Sequence, residues 1–560
     1  MGLILTAVLD RFPGSWSTDA ASYLHGVEKP PITIPAADLA GLSTALESLA
    51  SAGPHLVPVA DLATAAVAAG VGQLASGSLS ELRGLMSAMG PALIVSVMIF
   101  VVGVVSRLRL PVAVRSALQV GVSFVGIFAL LAYVLAQIGK TVQSMADVWG
   151  LNLVGIDIGW AAVAGFTWTL GVTVLVIPLV FGANLVMLAA GRTKTLNADI
   201  WNYWQFAFNA AVVYLLTDSW ALGLGAGLVT GVVVIKLADW TADLSQAYFG
   251  VPGTSLPNVQ SMAQAPFAFA LDRLIRKVPV VGELDASPDA IERRIGPLGD
   301  PVVLGFLVGG FLGVLAVQPP LEVFRTAVYV AALLALMPRI VESLVEGIEP
   351  IVEQASAKIE ANERFSGQGI VIGIDGGPIA FSDTTSVVAG LLLVPYALGL
   401  AFIPGVTVVP LADLVLIPIF CMFAAAISRG NLVRTVISGG VMTTVITATT
   451  TLLAPYVTAM GEQTGELAAV DTGGASVVSS LSVGANWWTL GAFAPLGLPG
   501  EPGMAVAAGG VVTALLAAAC YWWTRDMPDR VAAEIEAESG GTQAGTGTET
   551  RSEAGAEPVD

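Results

Sequence analysis

Two aspartates draw attention by the company they keep. Asp157 lies in Gly155-Ile156-Asp157-Ile158-Gly159, and Asp375 lies in Gly373-Ile374-Asp375-Gly376-Gly377. Both interrupt strongly apolar stretches. A carboxylate at membrane depth is costly and as a rule faces a cavity or a partner. The flanking glycines allow the tight backbone of a re-entrant turn. Such carboxylates can accept hydrogen bonds from ligand hydroxyls; the plainer reading is an aspartate that caps a helix. The run Asn197-Ala198-Asp199-Ile200-Trp201-Asn202-Tyr203-Trp204-Gln205 is dense in amides and aromatic rings. Rings stack on the C–H faces of a sugar while amides bind its hydroxyls. On a helix Trp201 and Gln205 are four apart and share a face. An interfacial aromatic belt has the same composition. Pro257-Asn258-Val259-Gln260-Ser261 and Ser428-Arg429-Gly430-Asn431 add polar side chains, and each also reads as a turn. There is no Walker motif, no Ser/His/Asp set and no Cys/His pair, so no reaction and no cofactor is assigned to this chain.

The composition states what positions these residues. Of 560 residues, 55% are hydrophobic and only 12% charged, too few charges to cover a soluble surface of this size. The 62 Gly and 31 Pro suit membrane helices that pack closely or break. The two Cys, Cys421 and Cys520, lie in apolar runs, and the two His, His25 and His55, lie near the N-terminus. A disulfide framework and a cysteine or histidine metal site inside the membrane are therefore excluded, and no metal is expected. The net charge of −18, with only six Lys among 24 basic residues, points to a host that lives in high salt, a halophile. No basic stripe suggests nucleic acid.

Apolar runs mark eleven candidate spans, at 86–106, 112–138, 168–190, 204–219, 221–238, 301–317, 322–338, 384–405, 411–427, 434–455 and 503–523. Several fall short of the roughly 20 residues needed to cross straight. With these spans, the Arg and Lys groups near 107–115, 192–194, 273–294, 339–364, 429–434 and 525 all fall on one face, which the positive-inside rule makes cytoplasmic. Residues 1–80 are then an extracytoplasmic extension, 81–530 a transmembrane domain, and 531–560 an acidic, disordered cytoplasmic tail. The two G-I-D-x-G segments are each followed by an apolar span with a proline, Pro178 and Pro395, at intervals of 21 and 20 residues. In this topology the first enters from outside and the second from inside, the arrangement of an inverted repeat.

Seven stretches carry a family resemblance: SALQVGVSFVGI (116–127), LNLVGIDIGW (151–160), NADIWNYW (197–204), ASPDAIERRIGPLGDPVVLGF (286–306), ALMPRI (335–340), VIGID (371–375) and SRGNLVRTVISGG (428–440). In order and spacing, over about 79–530, the chain resembles the enzyme IIC membrane subunit of the galactitol-type phosphotransferase system, in the superfamily of the ascorbate-type subunits. The resemblance implies an all-α integral membrane homodimer, with about eleven transmembrane helices plus re-entrant hairpins and with core and scaffold domains. It implies elevator-type transport of a sugar or polyol and its delivery to cytoplasmic IIB, itself supplied by IIA. It places Asp375, Gln205 and the segment around Asn258, with Gln260, at the substrate. Trp201, Asn202 and the loop from Asp157 to Trp160 are then nearby. At Gln205, Asn258, Asp383 and Ser428 the chain departs from the histidines of galactitol-type members, keeping hydrogen-bonding capacity but losing a group that titrates near neutrality. Asp383 joins the expected site on this ground. Two other readings stay open: a cation-coupled secondary transporter on the same scaffold, using Asp157, Asp375 or Asp383, and a non-transporting receptor or scaffold.

Overall fold

The computed structural model describes residues 108–151, 154–282, 300–360, 369–470, 474–486 and 501–549, with a few isolated positions between them. The extension 1–80, most of the span 86–106, both histidines and the last residues of the tail lie outside the described residues.

The described chain is mostly helical, and one order of elements occurs twice. The first pass runs α1 (Leu110–Val148), β1 (Gly155–Asp157), α2 (Trp160–Thr169), α3 (Gly171–Ala189) and β2 (Thr195–Asn197). After a 3-10 turn (Ile200–Asn202) come α4 (Tyr203–Thr217), α5 (Trp220–Phe249), β3 (Thr254–Ser255) and the single turn α6 (Val259–Met262). Two helices, α7 (Ala265–Ile275) and α8 (Pro301–Leu315), lead to the second pass. It runs α9 (Pro320–Glu360), β4 (Val371–Gly373), α10 (Gly376–Ser382), α11 (Thr384–Leu400) and β5 (Val408–Val409). After a 3-10 turn (Ala412–Leu416) come α12 (Ile417–Ser428), α13 (Leu432–Thr464), β6 (Val477–Ser479) and the single turn α14 (Leu481–Gly484). Helices α15 (Glu501–Thr524) and α16 (Met527–Glu549) follow.

Among the described residues, five helices are long and apolar enough to cross a membrane: α1, α3, α5, α9 and α13. The pair α10–α11, bent by 90° at its break, has the length and apolarity of a broken span or a re-entrant loop, and α8 and the stretch 412–428 are shorter apolar helices. Large apolar side chains stand outward on them, such as Val122 at 71% exposure and Val314 at 64%. That outward face suits lipid and would be a liability in water.

Two short sheets were not anticipated by an all-α reading. Each has three parallel strands, in the orders β5-β1-β6 and β2-β4-β3. The central strand of each sheet thus comes from one pass and both outer strands from the other. The physical reason is the backbone. A chain that leaves helix at membrane depth must satisfy its N–H and C=O groups internally, and pairing two- and three-residue strands does so.

Close packing rests on glycine stripes. A Cβ at Gly223, Gly227 or Gly231 of α5 would meet the Ala210 carbonyl at 2.8 Å, the Phe206 carbonyl at 3.1 Å or Val180 at 2.4 Å. A stripe on α8 faces α9 in the same way. Helices α1, α8 and α9 pack on one another, while α3-α4-α5 and α11-α12-α13 form two matching triads. The segment 531–560 starts as helix rather than disordered chain. Val531 and Ala532 are buried where α16 lies against α5, and Arg429 pairs with Glu534 and Glu538. Apolar burial and charge pairing offset the polar composition there.

Candidate substrate site

Ligands of parallel sheets bind beyond the carboxyl ends of the strands, and the notable polar residues collect there. Asp375 follows β4 and occupies the N-cap position of α10, yet its carboxylate makes no capping bond. Its Oδ1 instead accepts from Asn258 Nδ2 at 2.6 Å. Asn258 follows β3 and caps α6, its Oδ1 accepting from Ser261 N at 3.2 Å. The cradle is made of glycine: a Cβ at Gly377 would lie 3.0 Å from Asp375 Oδ2, and one at Gly373 would lie 2.7 Å from Pro257.

Beyond β2, the buried Asp199 accepts from the backbone N–H of Asp375 and from that of Trp201, each at 3.0 Å. Trp201 sits on the 3-10 turn, so it precedes rather than shares the helix of Gln205, which starts at Tyr203. Its ring meets Trp160 edge-on at 5.4 Å between centroids, and Trp160 lies 6.2 Å from Trp204. From α1, Phe128 reaches Trp201 at 5.9 Å. Asn202 Nδ2 donates to Asn197 Oδ1 at 2.9 Å. Both amide atoms of Gln205, the indole Nε1 of Trp201 and Oδ1 of Asn202 are buried with no hydrogen-bond partner among the described residues. Buried polar groups are normally paired, so unpaired ones beside aromatic faces make this a candidate place for a ligand's hydroxyls.

The carboxyl ends of the other sheet carry a second acidic pair. Asp157 accepts from Gly159 N and from Asp413 N, each at 2.9 Å. Asp413 accepts from Trp160 N at 2.9 Å, from Ser482 N at 3.1 Å and from the Ser480 hydroxyl. Asp157, expected at the substrate, thus has both oxygens engaged by backbone, one by Gly159 in the loop that presents Trp160 and one by Asp413 in the second pass. Asp383 caps α11, accepting from Ser386 N at 2.8 Å, and also accepts from Tyr248 at 3.1 Å. Its carboxylate serves the α10–α11 bend. Gln260 is buried on α6, whose first turn Asn258 starts. The turn at 428–431 is a plain helix connection, with Arg429 and Gly430 at positive φ and Asn431 capping α13. The sequence reading left out Asp199, Asp413 and Trp204 as site residues. The signal was a second repeated motif, Ala198-Asp199-Ile200 and Ala412-Asp413-Leu414, too short to weigh without the fold.

Apolar spans, a broken helix pair and buried polar groups at the carboxyl ends of two short parallel sheets are the marks of a multi-pass membrane protein. Residues 85–471 match the family EIIC-GAT, the PTS system sugar-specific permease component, and the chain belongs to that family. It is a sugar or polyol translocation subunit of a phosphotransferase system. The "PTS system galactitol-specific EIIC component" of Escherichia coli (strain K12) is 32% identical over 425 residues, 75% of this chain and 92% of that protein. The protein of the same description in Escherichia coli O157:H7 matches to the same extent. A further Escherichia coli (strain K12) protein, described as a permease IIC component, is 32% identical over 430 residues, 76% of this chain and 96% of its own length.

Proposed function

We propose that this subunit carries a galactitol-like polyol or sugar across the membrane and hands it to a separate cytoplasmic IIB protein. The observation that carries the reading is the Asp375–Asn258 pair, joined to Trp201 through the Asp199 carboxylate, together with the buried, unpaired polar atoms of Trp201 and Gln205. A carboxylate, two amides and an indole N–H can satisfy several hydroxyls of a neutral ligand, and the faces of Trp160 and Trp201 suit its C–H bonds. Because Gln205 and Asn258 carry no titratable group, their part in this recognition does not depend on imidazole protonation.

The packing supports an elevator. Helices α1, α8 and α9 form one unit, a candidate scaffold, and the two triads with their sheets form another, which holds the site. The exchange of strands between passes makes that second unit one body able to move whole. In the proposed assembly two copies meet through their scaffolds, the passes run in opposite senses across the bilayer, and the C-terminus is cytoplasmic.

Galactitol binding to the purified protein tests the site. Asp375→Asn should bind it roughly tenfold to a hundredfold more weakly, the worth of a charge-assisted hydrogen bond of about 1.5–3 kcal/mol, with unchanged size-exclusion behaviour. Equal binding by the two proteins would remove Asp375 from the site. In liposomes, cation-driven accumulation of unmodified galactitol without IIA and IIB would make the chain a secondary transporter instead.

A further inference from the structure

Asp199 and Asp413 stand at matching places in the two passes, each in an Ala-Asp-Ile/Leu turn just beyond an outer strand. Each is at most 1% exposed. Each accepts a backbone N–H from the re-entrant tip of the opposite pass. Asp199 takes that of Asp375 at 3.0 Å, and Asp413 takes that of Trp160 at 2.9 Å. The other oxygen of each carboxylate stays within its own pass: Asp199 holds Trp201 N, and Asp413 holds Ser482 N and the Ser480 hydroxyl. Asp199 thereby also starts the 3-10 turn that carries Trp201, and Asp413 likewise holds the first turn of α14. Each spans the seam where one pass's central strand lies between the other's outer strands.

From this geometry we infer that Asp199 and Asp413 are positioning residues, a matched pair of struts that fix the two re-entrant tips against each other and so set the distance between Asp375 and the Trp160–Trp201 wall. This rests on the substrate site proposed above. The chemistry follows from the acceptor. A carboxylate offers two oxygens, so one residue can hold two backbone N–H groups from different segments, and charge-assisted bonds resist opening. Asparagine keeps one acceptor oxygen and alanine keeps none. The effect should therefore be graded, whereas a residue that merely fills space would tolerate the near-isosteric asparagine.

Two measurements on the full-length purified protein separate the possibilities. The first needs no ligand. Amide hydrogen exchange should rise in the peptides that cover 371–383 and 199–205 in Asp199→Ala, and in 157–163 and 477–486 in Asp413→Ala. Each asparagine variant should be intermediate, and exchange in α1, α8 and α9 should stay as in the wild type. The second is galactitol binding, which Asp199→Asn should weaken about tenfold and Asp199→Ala further. Exchange at the tips unchanged in the alanine variants would overturn the struts, as would raised exchange with unchanged galactitol affinity. Asp375→Asn is the control for the site. If it loses galactitol while the Asp199 variants retain it, the struts fall and the site stands. If Asp375→Asn retains galactitol, or the wild type does not bind it, the site falls, and hydrogen exchange alone decides whether the carboxylates hold the tips.

Discussion

Asp272 shows what the interior demands of a single charge. It is 1% exposed, and its Oδ1 accepts from Arg434 at 2.8 Å through Nε and at 2.5 Å through Nη2. Its Oδ2 accepts from Arg276 Nε at 2.7 Å. Arg434 is itself 8% exposed, so the pair joins α7 to α13 away from solvent. Removing one member of such a pair leaves the other buried and uncompensated, at a cost of about 3–5 kcal/mol, whereas replacing both by apolar groups is often neutral. Asp272→Ala should therefore lower the unfolding temperature in detergent well below that of Asp272→Leu combined with Arg434→Met, with the half-exposed Arg276 free to reach outward. Equal unfolding temperatures for the single and the double variant would show that the pair is not what matters there. Little of this was legible in the sequence. Asp272 and Arg276 are four apart and look like a surface charge pair, and only the fold brings Arg434 to them. Asp375 stood out in the sequence as a carboxylate flanked by glycines in an apolar run, but so did Asp157, and only the fold distinguishes the Asn258-paired carboxylate from the backbone-bound one. Asp383-Thr384-Thr385-Ser386 is also what a helix start looks like, and the fold uses Asp383 as one.

Helices were the readable elements, since apolar runs of their length have few alternatives. Strands of two and three residues were not, because alternation needs four or more residues to show. The run 168–190 read as one span, but the chain turns extended at Leu170 and divides it between α2 and α3. Glycine spacing was present yet not interpretable without a partner helix. On α8, Gly305, Gly309 and Gly313 fall four apart, and a Cβ at Gly309 would meet the Thr326 carbonyl at 2.7 Å and Ala327 Cα at 2.8 Å. These are backbone atoms of α9 and cannot step aside as a side-chain end could. Gly309→Ile should push α8 off α9 and cost about 1–3 kcal/mol, whereas Gly310→Ile, with only Ala327 Cβ near it at 3.8 Å, should cost far less. Thermal unfolding of the two variants in the same detergent checks this; equal losses would mean that the interface is looser than the glycine stripe implies. The contrast matters for movement, because α8 and α9 belong to the unit against which the site-bearing triads would slide.

The two passes of the molecule share a motif that was visible in the sequence, G-I-D-x-G, but not the exchange of strands that it organises. Exchange is a long-range fact: β1 pairs with strands some 250 and 320 residues further on, through registers that no local pattern encodes. What the whole molecule offers chemically is equally a matter of placement. Relay of a phosphoryl group needs a nucleophilic thiolate or imidazole that a soluble partner can reach. Cys421 is fully buried in α12, and Cys520 lies in the apolar helix α15. The two histidines fall in the N-terminal extension, which in the proposed topology faces away from the cytoplasmic proteins. The proposed substrate site gathers carboxylates, amides and indoles, which would hold hydroxyls in place but serve as no phosphoryl carrier in such a relay. The chain can therefore contribute orientation, the presentation of a bound hydroxyl to a phosphorylated partner. Purified protein incubated with galactitol and phosphorylated IIA, without IIB, should yield neither labelled protein nor sugar phosphate, and addition of the cognate IIB should restore the product. Labile phosphate on His25, His55, Cys421 or Cys520 would overturn this division of labour and would give the membrane subunit a covalent step of its own.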